Sequence, residues 1–470
     1  MKRKVFFKLK SVIKYIIIFA VLIACYNGSL YSVCKIPSSM MKSTVEKSAE
    51  ILRGQGLNYY FQVYAFNDNE TDALMINDAY SINSEHPLDS YMWGRKNYNP
   101  NITKEIHDEK LEGLVSYDKT DTITEQYNTP VELYDFMDGK ITHSVSNQGY
   151  WHGYLVFIRL LLLVFNVTEL RVVRLLILAA LVLFLLKIIK RNFGLKMVFG
   201  MLAIIILYEF YSVAASLASF PVLLITIIFS IFLLKKLGKE GKAIHFEKLY
   251  KYFFIVGSIV NFVDFLSIPL ISLGMPLLFI LMKYNEVQTK TNARINAKKC
   301  IKFVLGVSVL WLAGYGLTWV AKWIIFMIYT NQFDISNVFA QISNIVSQRI
   351  GDVNVNVNVE QNVAYIFGIS TIITGFTFMI AVLLGYKRIK SVRQIVNDNI
   401  ATILVGVFPL IWAIVLLNHT ANNAFFTYRI SMISALAGEM VAIYMYKPRK
   451  KRKKQKKFKI ALPKKLAKIS

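Results

Sequence analysis

Long uncharged apolar runs dominate the chain. The first extends from about Val12 to Val33, behind the basic start Met1-Lys-Arg-Lys. Others begin near Leu170, Gly194, Pro221, Tyr250, Ile268, Lys302, Val363, Asn397 and Phe426. A helix needs about 20 apolar residues to cross hydrocarbon, and each run supplies close to that, the fifth and sixth being short. The runs are continuous and do not alternate, which excludes an outer-membrane barrel. The pattern predicts an all-α polytopic membrane protein of about ten transmembrane helices.

Between the first two spans lies a polar segment, residues 35–150, expected to be a mixed, mostly folded insert. Ser43-Thr-Val-Glu46 has the spacing of a capping box, and Gly54-Gln-Gly56 should stop the helix it opens. Thr71 to Ser81 reads as a short helix capped by Asn69 or Thr71. Further on, the apolar spacing of Phe333 to Ile350 predicts an amphipathic helix at the membrane interface. Asp352 to Val359 alternates with period two, as an exposed strand or extended linker does. The chain thus divides into 1–34 (a cytoplasmic start and first span), 35–150, 151–446 (a juxtamembrane helix and the polytopic part) and a basic tail, 447–470.

Composition agrees. Of 470 residues, 55% are hydrophobic and 18% charged, and mean hydropathy is +0.44. That excludes a soluble enzyme, a disulfide scaffold and a disordered tail protein. The three cysteines, Cys25, Cys34 and Cys300, form no framework. Leu22-Ile-Ala-Cys25 resembles a lipoprotein cleavage site, but apolar character continues to Val33, as an uncleaved anchor requires.

The net charge of +26 would suggest nucleic acid in a soluble protein. Here no basic fold or stacking module accompanies it, so no nucleic acid is expected. The Lys and Arg gather at the N-terminus, in short loops around 187–196, 235–242, 283–302 and 387–393, and in the tail, which holds 13 of them. The positive-inside rule makes that side cytoplasmic, with both termini on it. Segment 35–150 carries 18 of the 29 acidic residues and falls outside. Lys-, Ile- and Asn-rich usage suggests a low-GC bacterium, so the expected location is a bacterial plasma membrane, and the tail suggests contact with anionic membrane lipids.

Charges in or near hydrocarbon are costly to keep. Arg159, Glu169, Arg171, Arg174, Glu209, Asp264 and Arg429 stand out, all but Arg174 placed by this topology toward the outer face, and Glu439 joins the list. Each can snorkel or pair locally, as Glu169 can with Arg171 or Arg174. Together they can line one outward cavity. The densest acidic cluster is Asn67-Asp68-Asn69-Glu70-Thr71-Asp72. It can supply a general base or help hold a divalent cation, and it can equally be a set of solvated acids at a helix start. Ala73 stands where an EF-hand loop needs Gly. Tyr150-Trp-His152-Gly-Tyr154 reads as an aromatic belt or a site, and Asn418-His419-Thr420 with Phe426-Thr-Tyr-Arg429 as an interfacial anchor or a phosphate clamp.

In order, these parts resemble the GT-C superfamily, integral-membrane glycosyltransferases that use polyprenyl-phosphate sugar donors. The likeness rests on one span followed by a large outer loop, on Asp-Asn-Glu-Thr-Asp-Ala-Leu-Met-Ile-Asn-Asp-Ala-Tyr (68–80), and on His152-Gly-Tyr-Leu-Val-Phe-Ile-Arg159 through Asn166-Val-Thr-Glu-Leu-Arg171-Val-Val-Arg174. Local sequence matches only from about Asp68 to Leu175, and the family's adjacent Asp-Glu pair is interrupted by Asn69. The resemblance implies transfer of a sugar from a polyprenyl-phosphate-linked donor to a cell-envelope glycan or lipid-linked acceptor on the outer face. It implies a carboxylate base, ranked Asp72, Glu70, Asp68, and phosphate contacts from Arg429, His419, Arg159 and His152. It requires no cofactor with certainty. A transferase of this kind predicts a lipid-open pocket where the Asp72 region approaches Arg429. Two alternatives share the architecture: a polysaccharide polymerase or ligase, and a non-enzymatic transporter or flippase of lipid-linked glycans. A transporter would show paired broken helices, for which only Ser267 to Pro276 offers a candidate.

Overall fold

The computed structural model describes residues 2–56, 58–60, 66–98, 128–141, 143–146, 149–239, 244–291, 294–331 and 389–446, with scattered positions between 336 and 383. The chain begins with α1 (Lys2–Cys34) and α2 (Lys42–Gln55). A small polar layer follows: β1 (Asn58–Tyr60), β2 (Phe66–Asp68), α3 (Asn69–Tyr80), α4 (Pro87–Trp93), β3 (Arg95–Tyr98), α5 (Thr129–Met137) and β4 (His143–Ser146). The strands form two antiparallel pairs, Asn58 opposite Asp68 and Arg95 opposite Ser146. Then come α6 (Leu155–Leu162), α7 (Val167–Phe193), α8 (Leu195–Leu207), α9 (Phe210–Ala215), α10 (Ser219–Lys239), α11 (Tyr250–Val263), α12 (Ile271–Lys290) and α13 (Ala297–Tyr329). The last described part holds α14 (Val392–Gly406), α15 (Phe408–Val415), α16 (Leu417–Asn422), α17 (Ala424–Thr427) and α18 (Met432–Tyr444).

Among the described residues five stretches are long and apolar enough to cross a membrane: Val12–Cys34, Val167–Phe193, Ser219–Gly238, Ala297–Tyr329 and Val392–Val415. The other expected runs are shorter or more polar, each for a local reason. Glu209 takes a left-handed conformation (φ +51°) and ends the run of α8, which has 13 residues. Asp264 turns the chain out of α11 after 14 residues. The second half of α12 carries Lys283, Glu286 and Lys290. The run expected near Val363 is described only in scattered pieces, and most of Phe333–Ile350, all of Asp352–Val359 and the basic tail lie outside the described residues.

The sequence-predicted broken helix at Ser267–Pro276 is placed differently. The break spans Asp264 to Leu270, with Leu266 at φ +65°, and Pro276 sits inside the continuous α12. The capping box at Ser43 is also absent. Met41 precedes α2 without a side-chain cap, Thr44 donates instead to the Met41 carbonyl (2.9 Å) and to the Leu162 carbonyl, and Glu46 pairs with Lys42. The stop is where the sequence puts it, at Gly56 with φ +70°, a region glycine enters freely.

The described apolar core falls mainly into two large clusters. The larger joins α7 to α14 and α18. The smaller joins the end of α1 (Tyr26, Leu30, Val33) to α2, α3, α4, α6 and the start of α7, so the polar layer is welded to the bundle by buried side chains. Helices α11 and α13 cross closely because each offers a glycine. A Cβ at Gly257 would stand 2.2 Å from the Trp311 carbonyl, and one at Gly314 would stand 2.1 Å from that of Phe254. Outward faces of α1 and α7 expose Ile16, Ile17, Leu176 and Leu183, as lipid-facing helices do.

Candidate functional site at the start of α3

Asp68, and neither Asn69 nor Thr71, caps α3. Its Oδ1 accepts from the Thr71 amide at 3.0 Å. Asp68, Asn69 and Thr71 are all cap-type residues, and β2 ends at Asp68, which settles the choice. Burial outweighs those Thr71 donors and pushes the Asp68 carboxyl up to about 7, with Asp72 and Glu70 adding to the rise.

Asp72 is fully buried against the membrane helices. Its Oδ1 accepts from the Leu217 amide (2.8 Å), and its Oδ2 lies 3.2 Å from Arg171 Nη2 of α7. Arg171 also donates to Gln55 Oε1 (2.9 Å) and Asn69 Oδ1 (2.7 Å). One turn along α7, Arg174 donates to the Leu170 and Ala215 carbonyls at 3.1 and 2.9 Å. Arg171 Nε and Arg174 Nη1 remain buried without a partner among the described residues. Such donors are expensive to leave unmade. The local pairing of Glu169 with these arginines does not form. Glu169 instead accepts from the Asn166 amide (2.8 Å) and closes a capping box at the start of α7.

The four residues expected at a phosphate do not converge. Arg429 Nη2 donates to Ser212 Oγ (3.0 Å) and lies 3.4 Å from Glu209, whose other donor is the Tyr428 hydroxyl at 2.9 Å. This pair sits at the start of α9, whereas Asp72 binds just past its end, so α9 separates Arg429 from Asp72. His419 turns to the Leu266 carbonyl, donating from Nε2 at 2.9 Å. Arg159 is fully buried and spends four of its five N–H groups on Val33, Ile36 and Ala79 carbonyls and on Ser38 Oγ. That engagement ties the end of α1 to the end of α3 and leaves little for a phosphate.

His152 and Tyr154, already singled out together, join a second buried cluster whose third member, Asp78, the sequence reading missed. The Tyr154 hydroxyl donates to Asp78 Oδ2 at 2.5 Å and stands 2.7 Å from His152 Nδ1. The hydroxyl's one proton goes to the carboxylate, so His152 Nδ1–H is the donor to Tyr154. Burial, with Asp78 alongside, pushes the Tyr154 hydroxyl well above its ordinary range. Asp78 Oδ1 is buried without a partner among the described residues. His152 holds a left-handed φ of +54°, and only Gly94 leaves its ring room: a Cβ there would lie 2.2 Å from Nε2. Lys322 was also missed, though a lone lysine between Trp319 and Trp323 was a visible signal. Fully buried, it donates to the Tyr91 and Met92 carbonyls (3.0 and 3.1 Å) at the end of α4.

Among the described residues no three His, Cys, Asp or Glu side chains stand close enough to hold a metal ion. What the fold and these contacts define is an all-α membrane protein whose polar amino-terminal layer is ion-paired to its membrane helices. The chain matches no known protein family, no curated protein and no solved structure.

Proposed function

We propose that the protein is a membrane glycosyltransferase of the outer face of a bacterial plasma membrane. It takes a sugar from a polyprenyl-phosphate donor and passes it to a cell-envelope glycan or lipid-linked acceptor. The reading includes about ten spans, cytoplasmic termini and an outward 35–150 segment. One observation carries it: Asp72, in the first turn of α3, sits against two arginines of one membrane helix, Arg171 at 3.2 Å and Arg174 a turn further, each with a buried N–H unused among the described residues. A carboxylate beside spare guanidinium donors suits a reaction that removes a proton and releases a phosphate.

The geometry favours a different base from the one the resemblance ranked first. Both Asp72 oxygens are engaged, which suits a residue that positions Arg171. Asp68, held near neutrality by burial, has the affinity a general base needs. In the proposed step the acceptor hydroxyl oxygen bonds to the anomeric carbon as the carbon–oxygen bond to phosphate breaks, inverting that centre. The hydroxyl proton passes to Asp68, and Arg174 and Arg171 meet the charge on the departing polyprenyl phosphate.

The test is a gene deletion complemented with wild type, Asp68→Asn, Glu70→Gln or Asp72→Asn, with lipid-linked and surface glycans profiled by mass spectrometry. The proposal expects the deletion to accumulate donor and lose a glycan, and Asp68→Asn to reproduce it at normal protein level. Full complementation by all three variants overturns the assignment.

A further inference from the structure

We propose that Glu439 is a proton-binding site buried in the helical bundle, held as the neutral acid against Gly200, and that its carboxyl takes apolar carbodiimides as a covalent ligand. The inference is independent of the transferase reading.

Glu439 is the one charged residue of helix α18 and is 2% exposed. Its carboxyl lies flat on α8. A Cβ on Gly200 would stand 2.1 Å from Oε2, 2.7 Å from Cδ and 3.1 Å from Oε1, so any residue but glycine would evict the group. Oε2 is buried with no partner, and Glu439 forms no hydrogen bond or ion pair among the described residues.

The charged and titratable groups on the elements around it are engaged elsewhere. On α8, Lys196 is one turn from Gly200 and points its Nζ over the Tyr446 ring at 5.6 Å. On α12, Lys283 pairs with Glu286 at 2.8 Å, and Tyr284 packs on Phe246. Lys390, just before α14, pairs with Asp398 at 2.8 Å, and Arg393 is exposed at the helix start. On α18 itself, Tyr444 donates to the Met282 carbonyl at 3.2 Å. Arg429, ahead of α18, is held by Glu209 and Ser212.

With no cation and no donor among the described residues, an ionised carboxylate here would lose its hydration without compensation. Taking up a proton costs far less. Intramembrane acids kept under such a penalty mark proton or ion pathways.

The neutral acid also has a specific reactivity. Its oxygen bonds to the central carbon of a carbodiimide while its proton goes to a nitrogen, giving an O-acylisourea. In a dry interior with no competing nucleophile, the acyl group then migrates to nitrogen as a stable N-acylurea. Nothing leaves and nothing is oxidised or reduced, and the proton must come from the acid itself.

The experiment treats the full-length protein in liposomes with dicyclohexylcarbodiimide and maps the product by peptide mass spectrometry. Glu439 is expected to gain the mass of one reagent at mildly acidic pH, less as alkali is added, and none from a water-soluble carbodiimide. Glu439→Gln is expected to lose the label. Should that variant fail to fold, the wild-type pH series and reagent pair decide alone. An unlabelled Glu439 at every pH, or equal labelling by the water-soluble reagent, overturns the proposal.

Discussion

Replacing Asp72 by Asn isolates the contact on which the polar layer's docking depends. The new amide keeps an oxygen for the Leu217 amide, now 2.8 Å away, so that hydrogen bond survives. What disappears is the charge 3.2 Å from Arg171, between side chains that are 0% and 12% exposed. Removing one partner of a buried pair costs about 3–5 kcal/mol, because the other charge stays behind uncompensated. Arg171 retains Gln55 and Asn69 as acceptors, which places the expected loss near the lower end, about 3 kcal/mol. Arg171→Gln should cost at least as much, since Asp72 then keeps only Leu217. The double variant should cost little more than either single, a coupling of about 2–3 kcal/mol. The assay is reversible unfolding in mixed micelles with increasing dodecyl sulfate, read by tryptophan fluorescence. Additive single costs, or an Asp72→Asn variant as stable as wild type, would refute the pairing.

Asp68 predicts an effect of the opposite sign. Its folded carboxyl titrates at about 7 against 3.8 for the free residue, so between those values the folded state binds more protons. Stability from this residue is therefore highest at low pH, falls as pH rises toward 7 by roughly 4 kcal/mol, and is flat above. Asp68→Asn should remove that slope, stabilising the protein at pH 8 and leaving it nearly unchanged at pH 4, where the folded-state carboxyl is already neutral. Gly94→Ala should cost about 3 kcal/mol in the same unfolding assay, since it combines a left-handed φ of +56° with overlap on the His152 ring. Arg159→Met strands the Val33, Ile36 and Ala79 carbonyls and should lose about 4 kcal/mol, seen as a collapse of the monodisperse fraction on size-exclusion chromatography. Arg159→Lys should rescue only part of it.

The spans were legible wherever about 20 apolar residues run without interruption, as in α7 and α13. They were less legible where the chain interrupts itself by local backbone geometry, as Glu209 does between α8 and α9. The stop at Gly56 was readable because two glycines flank one residue. The cap of α3 was not, because Asp68, Asn69 and Thr71 are all good caps and only the strand pairing of β2 chooses among them. The acids and arginines were visible as costly residues, but their partners were not. Arg171 lies two residues from Glu169 and bonds instead to Asp72, 99 positions away. Arg429 bonds Glu209 across 220 positions. Tyr154 stood in the 150–154 constellation, but Asp78 escaped notice as its partner because it is an ordinary residue until folding brings the two to 2.5 Å. Long-range pairing of this kind leaves no periodic signal in one chain.

The central claim is that the Asp68–Asp72 turn and the Arg171–Arg174 pair form a transfer site. Purified protein in liposomes made from the native lipid extract measures this directly, by mass spectrometry of free polyprenyl phosphate released from its sugar-linked form. Wild type should release it when acceptor lipid is present, whereas Asp68→Asn and Arg174→Gln, folded to the same extent, should release at least a hundredfold less. Equal release from all three, or none from wild type with donor and acceptor both present, would contradict the account.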